Sequence, residues 1–170
     1  MAQVARLCLT GPECTGKSTL AAQLAREFGT VWVPEYAREY AETHGNVLTA
    51  ADVEPIARGQ MASEDAARDA ERIVLDTDLI STVVYARHYY GSCPQWIEAE
   101  ALRRRADLYL LLDTDCIWLP DPARSPTPDD REDLFDAFRA ALDEFDTRWH
   151  IVSGDWAERH RQACERIAME

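Results

Sequence analysis

Lysine is almost missing from this chain. Of its 18 basic residues only Lys17 is a lysine, and every other one is arginine. A guanine-reading Asn-Lys-x-Asp motif is therefore excluded, because the one lysine lies in Gly16-Lys17-Ser18. Positive charge is scarce altogether. The 31 acidic residues leave a net charge of −13, which repels nucleic-acid backbones and anionic lipid, so neither is an expected partner. Cysteine is sparse and odd in number: Cys8, Cys14, Cys93, Cys116 and Cys164 form no C-x-x-C pair and read as isolated reduced thiols. His44, His88, His150 and His160 show no metal-ligand spacing and read as structural or surface groups. No apolar run approaches the roughly 20 residues of a membrane span. The start, Met1-Ala2-Gln3-Val4-Ala5-Arg6, lacks the apolar region and cleavage site of a secretory leader, so a cytoplasmic location is expected. The G-x-G-x-x-G fingerprint of dinucleotide redox enzymes is absent. The one Asp-Glu pair, Asp143-Glu144, falls on an amphipathic segment, not after the apolar strand a motor ATPase needs.

What is present is a repeating alternation. Val4–Thr10 is an apolar run, and Leu20, Leu24 and Phe28 recur at helical spacing until Gly29. Val31-Trp32-Val33 reads as a second strand, with Trp32 and Trp149 as core residues, and a helix is predicted over Glu35–His44. Thr49 to Asp52 has the form of a capping box and opens a predicted helix reaching about Arg72, bent near Pro55 or Gly59. Ile73-Val74-Leu75 is the third strand and is followed by a helix to about Tyr90; Gln95–Arg105 is the next helix. Leu108–Leu112 and Trp149–Val152 are the fourth and fifth strands. A proline-rich loop, Pro120–Pro128, precedes a helix bearing Leu134, Phe138, Leu142 and Phe145 on one face. Asp155 is the expected N-cap of the last helix. The pattern predicts an α/β fold with a parallel five-stranded sheet covered by helices on both faces, as one domain over residues 1–170.

The chemistry starts at Gly11-Pro12-Glu13-Cys14-Thr15-Gly16-Lys17-Ser18, which satisfies G-x-x-x-x-G-K-[ST] between a predicted strand and a predicted helix. Its glycines let backbone N–H groups face a phosphate, and the helix start presents its positive end. Glu13, Cys14, Thr15 and Thr19 complete the expected ATP cradle, and the Ser18 hydroxyl is expected on Mg²⁺. A P-loop kinase acting on a small molecule remains. Glu35, directly after the second strand, is placed to accept a proton from an attacking hydroxyl. Asp76 and Asp78 end the third strand: one is expected to hold Mg²⁺ through water, Asp76 being the assigned metal residue, and the other to accept sugar hydroxyls. Arg124 and Arg131 flank the proline-rich loop and are expected to neutralise transition-state charge from a lid over about 116–132. The plainer alternatives are that the carboxylates only cap helices and that Arg131 only pairs with charges beside Glu132.

Three strings add a family likeness. They are Gly11 to Leu20, then Trp32-Val33-Pro34-Glu35-Tyr36-Ala37-Arg38-Glu39-Tyr40, and then Ile56 to Met61 leading into Asp76-Thr77-Asp78. Together with Trp118, Asp121, Arg124 and Arg131, they resemble the ribosylnicotinamide kinase domain of the bacterial NadR family over about residues 5–168. The resemblance implies a nucleoside-kinase-like P-loop fold with an arginine-bearing lid and ATP-dependent phosphorylation of the 5′-hydroxyl of nicotinamide riboside. By the same resemblance, Glu35, Tyr36, Arg38, Asp76, Asp78, Tyr89 and Trp118 lie on the substrate side, with Tyr89 stacking on the nicotinamide ring. Two positions depart from the family: Pro34 stands where better-studied members carry tryptophan, and Asp121-Pro122 replaces the usual Asp-Gly. A kinase for another nucleoside and a non-catalytic ATP-binding regulator are the alternatives. A chain of this length is expected to carry the kinase without the family's adenylyltransferase or DNA-binding domains.

Overall fold

The computed structural model describes residues 4–45, 47–116 and 128–170. Five strands form one sheet: β1 (Arg6–Thr10), β2 (Val31–Val33), β3 (Ile73–Asp76), β4 (Leu108–Leu112) and β5 (Trp149–Val152). Their order is β2-β3-β1-β4-β5, and every pairing is parallel. Parallel strands are joined by helical crossovers that cover both faces, so central strands are apolar at every position and not at alternate ones. β4 reads Leu-Tyr-Leu-Leu-Leu and is buried throughout.

The two-residue period divides the core in two. Leu7, Leu9, Val74, Leu108, Leu110 and Leu112 point to one face, where α1 (Lys17–Glu27) contributes Leu20 and Leu24, and α7 (Trp156–Ala168) contributes Ala163 and Ile167. Cys8, Leu75, Tyr109 and Leu111 point to the other. There they meet α3 (Val53–Ala66), α4 (Leu79–Tyr90), α5 (Gln95–Arg103) and α6 (Pro128–Glu144). Each fully buried leucine on these faces contributes about 1.5–3 kcal/mol relative to exposure. α2 (Tyr36–Thr43) leans on α3 through the buried Ala41.

Two expectations fail here. The helix after the capping box ends at Ala66, short of Arg72. The box itself forms around a 3₁₀ turn over Ala50–Asp52, with Thr49 N donating to Asp52 Oδ2 at 2.8 Å. Residues 67–72 turn because β3 must start in register with β1 and β2. Arg72 is fixed by its Nε donating to Val4 O at 2.9 Å and by its carbonyl accepting from Thr30 Oγ1. Gly59 lies within α3, which runs unbroken over Val53–Ala66. A Cβ there would lie 1.9 Å from Tyr36 Cε1, so the glycine is where the Tyr36 ring packs onto the helix. Trp32 is not a core residue: β2 is an edge strand, and Trp32 is 38% exposed on it. Trp149 is half-buried against the α6 side of the core, and its Nε1 donates to Asp143 Oδ1 at 2.9 Å.

The chain leaves β1 toward β2 on one side and leaves β3 toward β4 on the other. That reversal opens a crevice at the carboxyl ends of β1 and β3, the place where open α/β sheets bind ligands.

Candidate nucleotide and acceptor site

The loop between β1 and α1 lies at this crevice. Gly16 adopts φ 87° as the cap of α1, and Cys14 takes φ 57°, a left-handed conformation that costs a non-glycine residue energy and is found at functional turns. Lys17 is buried, with Nζ donating to Pro12 O at 2.6 Å, and Thr15 Oγ1 donates to the same carbonyl at 2.9 Å. The lysine is thus held over the loop it serves. Thr19, one turn into α1, is exposed.

Ser18 Oγ donates to Asp76 Oδ2. Asp76 Oδ1 is buried with no hydrogen-bond partner among the described residues. Burial lifts the Asp76 carboxyl above its ordinary range, the nearby Glu35 charge lifts it further, and Lys17 and the Ser18 bond oppose both. A hydroxyl beside a carboxylate with one unsatisfied oxygen is the donor set of a hard divalent cation, so Ser18 and Asp76 fit Mg²⁺.

Asp78 is held differently from Asp76. Its Oδ1 accepts from Ile80 N at 3.0 Å as the N-cap of α4, and its Oδ2 accepts from Tyr109 Oη at 2.6 Å. Both oxygens accept bonds from within the protein, which tie Asp78 to the start of α4 and to β4. Of the three carboxylates assigned to the acceptor side, only Glu35 lines a cavity beside the phosphate loop. Glu35 occupies the N-cap position of α2, yet its side chain makes no capping bond.

That cavity holds about 390 Å³. Glu13 from the phosphate loop, Glu35, Gln60 and Thr77 are among its lining residues. Tyr85, Tyr89 and Tyr90 of α4 supply aromatic surface. Tyr85 and Tyr89 lie parallel within 3° at a centroid distance of 6.1 Å, and Tyr89 is 50% exposed at the rim. Pro34 is not among the lining residues of this cavity and lines a separate groove with Trp32 and Ala66. Tyr36 is not among its lining residues, and Arg38 is exposed on α2 with its charge favouring ionised Asp76.

Arg131 is buried at the start of α6 and donates from Nη2 to Cys116 Sγ at 3.6 Å. Cys116 Sγ in turn donates to Cys14 O at 3.3 Å. Cys116 thus links the guanidinium to the phosphate loop. Arg124, Trp118, Asp121 and most of the expected lid lie outside the described residues.

Three contributors were given no role from the sequence, although Gln60 lies in the string Ile56 to Met61. Arg159 of α7 is buried; its Nε donates to Gly154 O at 2.8 Å, its Nη1 to Thr15 O at 3.2 Å and its Nη2 to Asp113 O at 3.1 Å, with a further bond to Asp115. It braces the phosphate loop from behind. Trp156 lies over Gly16, where a Cβ would come within 2.2 Å of its ring. Gln60 joins three segments: its Oε1 accepts from Tyr36 N at 3.2 Å, and its Nε2 donates to Glu64 Oε1 at 3.2 Å and to Thr77 O at 3.4 Å.

The model of the AAA_28 family, described as an AAA domain, matches residues 6–159. The chain belongs to the AAA_28 family. One relative of this AAA_28 chain is the trifunctional NAD biosynthesis/regulator protein NadR of Escherichia coli K12, 33% identical over 128 residues. That match covers 72% of this chain but only 31% of the relative, so the chain spans about a third of the length of the curated relatives it matches. Among solved structures, a NadR protein in complex with NR superposes at a TM-score of 0.79 and 23% identity, over 98% of this chain and 51% of that one. Deoxyadenosine kinase from M. mycoides superposes at 0.70 and 12% identity, over 97% and 100%. At these identities the superpositions establish that this AAA_28 member shares their fold.

Proposed function

We propose that this protein transfers the γ-phosphoryl group of ATP to the 5′-hydroxyl of nicotinamide riboside. The observation that carries the reading is the position of Glu35: it is the acceptor-side carboxylate that lines the cavity, while Asp76 is bound to Ser18 and Asp78 to Tyr109. Support comes from the likeness to NadR proteins, one of them in complex with NR.

In the proposed reaction Glu35 accepts the proton of the 5′-hydroxyl. The hydroxyl oxygen forms a bond to the γ-phosphorus, the bond from that phosphorus to the bridging oxygen breaks, and ADP leaves with the electron pair. Lys17 and the loop N–H groups hold the β- and γ-phosphates. Ser18 and Asp76 hold Mg²⁺, which when bound offsets negative charge on the phosphate oxygens. Arg131, with Arg124 from the lid, adds positive charge where it develops in transfer. The tyrosines of α4 take the flat ring of the acceptor, with Tyr89 at the rim stacking on it; aromatic surface on α4 does the work expected of a tryptophan at position 34. The lid over about 116–132 and the extent of a single domain over 1–170 belong to the same proposal.

The experiment is a panel of nucleosides assayed with ATP and Mg²⁺, with Lys17→Ala as the control. Nicotinamide mononucleotide formation with nicotinamide riboside far ahead of purine and pyrimidine nucleosides is expected. Efficient turnover of another nucleoside with none of nicotinamide riboside refutes the acceptor. ATP binding without transfer to any acceptor refutes catalysis.

A further inference from the structure

Away from the cavity, Glu27, His160 and Cys164 converge from two helices. Glu27 closes α1, and His160 and Cys164 are one turn apart on α7. His160 Nε2 lies 2.7 Å from Glu27 Oε2 and 3.6 Å from Cys164 Sγ, and Cys164 Sγ lies 4.0 Å from Glu27 Oε2. All three donor atoms fall within 4.8 Å of one another, an arrangement fit for a metal ion. The expectation that His160 is merely structural or a surface group missed it, because the third donor is 133 residues away in the chain.

The spacing is close to what one cation demands. Zinc bonds of roughly 2.0–2.3 Å to nitrogen, oxygen and sulfur, set tetrahedrally, place nitrogen and oxygen about 3.4 Å apart and sulfur about 3.6 Å from each. The His160–Cys164 edge already has that length. The Cys164–Glu27 edge must shorten by a few tenths of an ångström. The His160–Glu27 edge must open by about 0.7 Å, as it does when a cation replaces the shared proton of an imidazole–carboxylate bond. Glu27 is 41% exposed and His160 26%, so rotation of half-free side chains suffices.

We propose that Glu27, His160 and Cys164 form a binding site for a divalent transition-metal cation of the Zn²⁺ class, with a fourth position open to solvent. A thiolate and an imidazole select such ions over Mg²⁺ and Ca²⁺. The site is distinct from Ser18 and Asp76: Glu27 is ten residues beyond Lys17, about 15 Å along α1. Binding ties the end of the phosphate-loop helix to α7, next to Arg159, which braces Thr15. The cation takes Cys164 as its thiolate, so binding releases the thiol proton.

The test is a Co²⁺ titration of the full chain in excess Mg²⁺, read by the thiolate-to-cobalt charge-transfer absorption. One equivalent is expected to develop the band, Cys164→Ser to abolish it, and His160→Ala and Glu27→Gln each to weaken binding at least tenfold. Zn²⁺ is expected to displace Co²⁺ and to raise the wild-type melting temperature, reversibly with a chelator, but not that of Cys164→Ser. No band at stoichiometric Co²⁺, or an undiminished band in Cys164→Ser, overturns the site.

Discussion

Replacing Asp78 separates a structural carboxylate from a substrate-binding one. In Asp78→Ala, two interactions disappear together. The N-cap bond to Ile80 N contributes about 0.5–2 kcal/mol. The bond from Tyr109 Oη at 2.6 Å joins a buried hydroxyl to a buried carboxylate, and a hydrogen bond to a charged group contributes about 1.5–3 kcal/mol. The sum, roughly 2–5 kcal/mol, corresponds to a melting temperature lower by roughly 4–20 °C for a chain of this size. Burial lifts the Asp78 carboxyl above its ordinary range. This part of its contribution is therefore greatest at low pH and is lost as pH rises through the folded-state value. Unfolding in urea at pH 7 of Asp78→Ala, Tyr109→Phe and the double variant closes a thermodynamic cycle. A coupling of about 1.5–3 kcal/mol between the two sites is expected. Well below the melting temperature, the KM for the nucleoside should change less than threefold. Wild-type stability together with a KM raised more than tenfold refutes the assignment and returns Asp78 to the sugar.

Glu35→Gln keeps the shape of the cavity wall but removes the proton acceptor; kcat is expected to fall roughly 10²–10⁴-fold with ATP affinity unchanged, and a near-normal rate removes Glu35 from that role. Gly59→Ala drives a methyl group into the Tyr36 ring and should cost about 1–3 kcal/mol in urea unfolding and raise the KM for the acceptor, since Tyr36 follows Glu35; wild-type stability contradicts the packing described. Glu64 is buried, and burial followed by the Asp78 charge lifts its carboxyl to about 7 despite Arg6 at 2.9 Å. Because the folded-state value is raised, its favourable contribution is complete below about pH 4.5 and is lost as pH rises through about 7. Glu64→Gln should flatten that decline in a pH series of unfolding curves, and an unchanged slope shows that Glu64 does not titrate in this range.

The strand–helix alternation was readable because it depends on local pattern. Val4–Thr10 followed by a glycine loop, the leucines of α1, the run at β4 and the Asp155 cap each carry their signal within a few residues. The phosphate loop was readable for the same reason, since its glycines, lysine and serine are contiguous. Residues 67–72 show where local pattern gives out. Ala67, Ala70 and their charged neighbours have a helical composition, yet pairing of β3 with β1 and β2 requires the chain to turn there. The apolar Val31-Trp32-Val33 suggested a covered strand, but burial depends on having neighbours, and the sheet order leaves β2 at an edge.

The composition and local spacing of this sequence determined a phosphate-loop motif on a parallel α/β scaffold and placed Glu35, Asp76 and Asp78 at or just after strand ends. Which way each carboxylate turns was decided by tertiary packing. Tyr109 and the start of α4 meet Asp78, Ser18 meets Asp76, and Glu35 lines the cavity. The bracing of Thr15 by Arg159 and the meeting of Glu27 with His160 and Cys164 also needed the folded chain. Those contacts join residues more than 100 positions apart, and only the closing of α7 against α1 brings them within bonding distance.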